Sequence, residues 1–122
     1  MDNRLAFQIM QAGRVGIGVG LLAAPARAGG PWIGEPAQSS GGQVALRALG
    51  VRDTLMGIAA LRAARRGDSS SIAAWARAQA ACGIVDGVAT GAVGRDLPDR
   101  GIPLMVLAFG AVVAGLALAA RL

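Results

Sequence analysis

The sequence contains no histidine, lysine or tyrosine, and it has one cysteine, two tryptophans and two phenylalanines in 122 residues. Without histidine there is no Ser-His or Cys-His pair to activate a nucleophile. The single Cys82 excludes an internal disulfide and a Cys-x-x-Cys pair. Together these gaps leave almost no ligands for zinc, haem or an iron–sulfur cluster, so neither a metal nor a cofactor is expected. Charge is also scarce. Only 16% of residues are charged, against about 25% in an ordinary soluble domain. All twelve basic residues are arginine, which lifts the pI to about 11.5. In a soluble chain that value points to nucleic acid. Here the arginines lie at the ends of apolar stretches or within them, with no basic stripe interleaved with aromatics, so no nucleic-acid partner is expected.

What the chain does have is apolar mass. It is 54% hydrophobic with a mean hydropathy of +0.53, and Gly, Pro, Ser and Arg divide it into four apolar blocks. This pattern predicts an all-α protein: one integral membrane domain over residues 1–122, folded as a four-helix transmembrane bundle. The spans are expected at about 5–24, 43–64, 72–93 and 102–120. Each is near the twenty residues, about 30 Å of helix, that cross a hydrocarbon core.

The first segment ends at Pro25, and Gly16 and Gly20 offer a small-residue face to another helix. The rival reading is a signal peptide with Ala26-Arg27-Ala28 as its cleavage site. Pro25 and Arg27 fit that poorly, and removal would strip Arg14 from charges that need a partner, so a retained span is expected. Residues 26–42 read as a loop rich in Gly, Pro and Ser. Trp32 suits the membrane interface there, and the loop is either a plain connector or a lid. Ser40 and Gln43 have capping-box spacing for the second helix. In that helix Gly50, Asp53, Gly57 and Ala60 share one narrow face. In the third segment Gly83, Gly87 and Gly91 form a ribbon, beside a stripe of Trp75, Gln79, Cys82, Asp86 and Thr90. The fourth segment carries no charge before Arg121 and reads as a plain, lipid-exposed span. Arg4, Arg62, Arg65, Arg66 and Arg121 fall on one side of such a bundle, which places both termini in the cytoplasm of a multi-pass cell-membrane protein.

Arg14, Arg47, Arg52, Asp53 and Asp86 are the candidate site residues. They lie inside or close to apolar spans, where a central Arg or Asp costs about 2.5 to 3.5 kcal/mol, so they must pair. Arg14 with Asp53 and Arg52 with Asp86 satisfies the spacing, and so does the swapped pairing. With Arg47 counted, the layer holds one spare positive charge, enough to hold an anion such as a lipid phosphate or a carboxylate. The competing reading is a closed ion-pair network that only fixes helix order. Motifs for an enzyme fail: the glycines of residues 13–20 lack the sixth-position glycine of a nucleotide loop, since Leu21 stands there. Asp86, Asp96 and Asp99 resemble the motif of membrane phosphoalcohol transferases only in part, because Gly83 stands where that motif needs an Asp.

The GRxxxGxGxLxxP pattern of the first segment, RALGVRDTLMG at Arg47 to Gly57, and the stretch from Trp75 to Asp86 together resemble uncharacterised small four-helix bacterial membrane proteins, distantly similar to the DoxX-like group. That resemblance implies a four-helix membrane fold and carries over no catalytic residue. The expected function is a non-enzymatic accessory or lipid- or anion-binding module, alone, as a homo-oligomer or in a larger membrane complex. The alternative is a small proton-coupled transporter with Asp53 or Asp86 as its proton site.

Overall fold

A computed structural model describes residues 2–122. Five α-helices follow one another: α1 Asn3–Ala23, α2 Pro25–Ile33, α3 Ser40–Arg66, α4 Ser69–Ala92 and α5 Gly101–Ala119, with short 3₁₀ turns at Glu35–Gln38 and Gly94–Asp96. No strand occurs among the described residues. The four long helices run alternately up and down, so both described ends lie at one end of the bundle with the α3–α4 turn. There the Ser69 hydroxyl donates to the Leu122 carbonyl at 2.7 Å.

Local chemistry sets the boundaries. The Asp2 side chain caps α1 by accepting from the Arg4 N–H, and Pro25, which cannot continue α1, occupies the first turn of α2, where its missing N–H costs nothing. Residues 26–42 are therefore not the expected loop: most are helical. Ser39 caps α3, accepting from the Gly42 N–H at 3.0 Å, so the second long helix begins three residues before Gln43. It ends at Gly67, whose φ of +67° makes the left-handed stop that glycine adopts without penalty. The Asp68 side chain then caps α4.

Glycine brings α1 and α3 together, but different glycines from those expected in α1. A Cβ on Gly18 would collide with the Thr54 hydroxyl and lie 2.7 Å from the Thr54 backbone nitrogen. A Cβ on Gly50 would lie 2.7 Å from the Gly18 carbonyl oxygen. Gly57 meets Val15 in the same crossing. Gly16 has no described atom within 4 Å of its Cβ position, and Gly20 has only the Ala28 methyl at 3.9 Å. In α4, Gly83 packs on Val112 of α5, whereas the Cβ positions of Gly87 and Gly91 meet no described atom within 4 Å.

Two apolar clusters close the ends of the bundle. Phe7, Ala60, Ala63, Ala64, Ile72, Ala76 and Ala119 form one beside the termini. Leu21, Ala37 and Leu46 form the other under α2, with Trp32, Ile33 and Leu49 against them. Among the described residues, two helices, α1 and α5, are long and apolar enough to cross a membrane by composition alone. The expected four spans thus do not all stand out as apolar. Charge is the reason: α3 holds Arg47, Arg52, Asp53, Arg62, Arg65 and Arg66, and α4 holds Arg77 and Asp86.

Candidate functional site

Between the two clusters lies a cavity of about 500 Å³. Its walls come from all four long helices and from α2, with Arg14, Arg52, Asp53 and Asp86 on one side and Leu104, Met105, Ala108 and Phe109 of α5 on the other. The volume falls within the roughly 300–1,000 Å³ of small-molecule pockets.

The four charges form one connected chain. Arg14 Nη1 donates to Asp53 Oδ1 at 3.3 Å. The same oxygen accepts from Arg52 Nε and Nη2, both at 3.3 Å. Arg52 then reaches across to α4, where Nη1 and Nη2 donate to the two oxygens of Asp86 at 3.2 and 2.6 Å. This fork-on-fork pairing is the geometry for which a planar guanidinium is suited. Sequence spacing leaves two pairings open; the structure has Arg14 with Asp53 and Arg52 with Asp86, and adds a contact between the neighbours Arg52 and Asp53.

Arg47 is not in this layer. It is exposed, and its Nε donates to the Leu22 carbonyl at 3.2 Å, satisfying one of the orphan carbonyls at the end of α1. Removing it balances the layer at two arginines against two aspartates. The spare positive charge expected to hold an anion is therefore absent from the network.

Two glutamines extend the polar wall. Gln79 Nε2 donates to Gln11 Oε1 at 2.8 Å and reaches the Met56 carbonyl at 3.5 Å. Gln79 belongs to the expected polar stripe of α4, but Gln11 carries no signal, because nothing in the spacing separates it from Gln8 in the same run. Higher up, Thr90 donates to the Asp86 carbonyl at 2.7 Å and accepts from Trp32 Nε1 at 3.2 Å. Trp32 thereby ties α2 to α4 above the charges, and it lines the cavity itself. Buried Thr54 Oγ1, pressed against Gly18, is the one fully enclosed side-chain polar atom without a partner among the described residues.

The site thus offers an apolar wall, a balanced ionic wall and a tryptophan roof. Arg52 and Asp86 keep 30% and 23% of their side-chain surface open, so the network is a wall of the cavity rather than a sealed core. The chain matches no known family model, no curated protein and no solved structure, so the DoxX-like resemblance adds no residue to this site.

Proposed function

We propose that this chain is a four-span integral membrane protein that holds one amphiphilic molecule, a lipid or a lipid-like compound, in the cavity between its helices. The carrying observation is the cavity's two-sided wall, ionic network against α5 side chains. A helix with central Arg and Asp tolerates lipid when those groups face the bundle interior and pair there, so the composition of α3 and α4 is compatible with spanning. By helical rise, Arg14, Asp53 and Asp86 lie roughly 9 to 20 Å below the helix ends nearest α2. A partly polar cavity at that depth holds water or a polar head group, and the apolar α5 wall suits a chain attached to that head.

The outer surface supports the same reading. Val85, Val88, Val106, Leu107 and Val113 are each at least half exposed, a density of large apolar side chains that water does not favour. Five arginines against Asp2 and Asp68 at the end bearing the termini favour a cytoplasmic position for that end under the positive-inside rule. The transporter reading has less to stand on, because both carboxylates are already engaged by guanidinium groups.

The test is native mass spectrometry of protein purified in mild detergent, wild type beside Ala108→Phe, which fills the cavity from α5. Wild type is expected to retain one amphiphile per chain and the variant to lose it. Equal retention by both, or no retention by a folded wild type, would overturn the proposal.

A further inference from the structure

The ionic wall is balanced, and this bears on the kind of head group the cavity takes. Every charge has an opposite partner within 3.3 Å. A charged head group would have to displace one of these partners or remain uncompensated in a poorly hydrated site, and either outcome is costly. An uncharged head avoids that cost if something else can hold it.

Gln11 and Gln79 supply that hold. They are 2% and 5% exposed, and both line the cavity. Their mutual bond uses Gln79 Nε2 and Gln11 Oε1. Gln11 Nε2 and Gln79 Oε1 make no hydrogen bond among the described residues, yet neither is fully enclosed in the way Thr54 Oγ1 is. One donor and one acceptor therefore stand unpartnered on buried side chains and open onto the cavity. The Met56 carbonyl fixes this orientation, because turning the amides over would set Gln79 Oε1 against a second acceptor. A buried amide left without a partner is destabilising, so a ligand that completes both bonds gains twice.

We infer that the cavity selects an uncharged glyceride-like amphiphile, with an ester carbonyl accepting from Gln11, a neighbouring hydroxyl donating to Gln79, and the acyl chain along Leu104, Ala108 and Phe109 of α5. This rests on the amphiphile-binding reading above and specifies its ligand. Selectivity against anionic lipids comes from the absence of an unpaired cation in the cavity wall.

The test offers purified protein equal amounts of monoolein and of lysophosphatidylglycerol with the same oleoyl chain, and counts bound copies by native mass spectrometry. Wild type, Gln11→Leu/Gln79→Leu and Ala108→Phe are compared. Leucine keeps the volume while removing both amides together, which leaves no orphaned partner between the two residues. Wild type is expected to retain one monoolein in about tenfold preference to the anionic lipid, whose phosphate would stand in the cavity without a counter-charge. The double leucine variant should lose its bound monoolein while keeping its helical circular dichroism. Preference for lysophosphatidylglycerol overturns the uncharged-head inference and leaves amphiphile binding standing. Undiminished retention of monoolein by the leucine variant overturns the glutamine assignment. If folded wild type retains neither lipid, both proposals fall.

Discussion

Arg52 and Asp86 join α3 to α4 through two parallel hydrogen bonds of 3.2 and 2.6 Å, and Arg52 also touches Asp53, which in turn holds Arg14 of α1. One guanidinium therefore links three helices. Breaking such a pair by removing one partner leaves the other charge unpaired, at a cost of about 3 kcal/mol or more, whereas replacing both by apolar residues is often neutral. Arg52→Met should lower the melting temperature in detergent sharply. Arg52→Met/Asp86→Leu should recover most of the loss, because Arg14 and Asp53 still pair. Melting followed by near-ultraviolet circular dichroism checks this; a double variant as unstable as the sum of its singles would contradict it.

The α1–α3 crossing gives a second expectation. Gly18 and Gly50 face backbone atoms, which cannot move aside as side chains do. Gly18→Ala and Gly50→Ala should each cost several kcal/mol, in the range of about 1–3 for overpacking or more. Gly16→Ala and Gly87→Ala meet open space, and should shift stability by no more than about 1 kcal/mol. A thermal-stability comparison of the four variants decides whether close approach or glycine content matters.

At the α3–α4 turn, the Asp68 carboxylate accepts from the Ser71 hydroxyl at 2.6 Å and from the Ser71 N–H at 3.1 Å. These bonds, the hydroxyl first, hold its pKa below the ordinary 3.8. A carboxyl depressed in the folded state adds stability above its unfolded pKa and loses it as pH falls through the folded value. Protection of the first amides of α4 should therefore fade below about pH 4. In Asp68→Asn that pH dependence should flatten. Hydrogen exchange across Ser69 to Ile72 measures it, and an identical pH profile in the variant would contradict the capping role.

Phe7 has no exposed surface and sits among Ala60, Ala63, Ala64 and Ile72. Small neighbours cannot collapse into the space it leaves. Phe7→Ala should cost about 3–5 kcal/mol, and Phe7→Leu much less. Because this cluster lies at the opposite end from Trp32, the Phe7→Leu variant should keep its bound amphiphile.

Much of the architecture was legible because helix signals are local. Apolar runs bounded by Pro25 and by the serine at residue 40 locate the long helices to within a few residues. Asp53 and Asp86 could be assigned to inward faces because small or polar residues recur around them at helical spacing. Tertiary choices were less legible. Spacing alone could not distinguish Gly18 from its neighbours Gly16 and Gly20, since which glycine meets a backbone depends on how α1 crosses α3. Residues 26–42 looked like a loop because Gly and Pro are poor helix formers, yet packing of Gly29 on Leu46 and the Trp32–Thr90 bond hold α2 in place. Sequence places Arg47 near the depth of the charged layer but does not give its direction, and its partner is a main-chain carbonyl. Gln11 is silent in the sequence because its partner, Gln79, lies 68 positions away.

The most direct test of the central claim, that α3 and α4 cross the membrane with their charges turned inward, is cysteine accessibility in sealed vesicles or intact cells. Single cysteines replace Gln38, Ser70, Asp99 and Arg121 in a Cys82→Ser background and are probed with a membrane-impermeant maleimide. With four spans, Gln38 and Asp99 should label from outside, while Ser70 and Arg121 should label only after the membrane is opened. Ser70 is decisive: if it labels with Gln38 and Asp99 while Arg121 stays protected, only α1 and α5 cross, and the four-span membrane bundle is wrong.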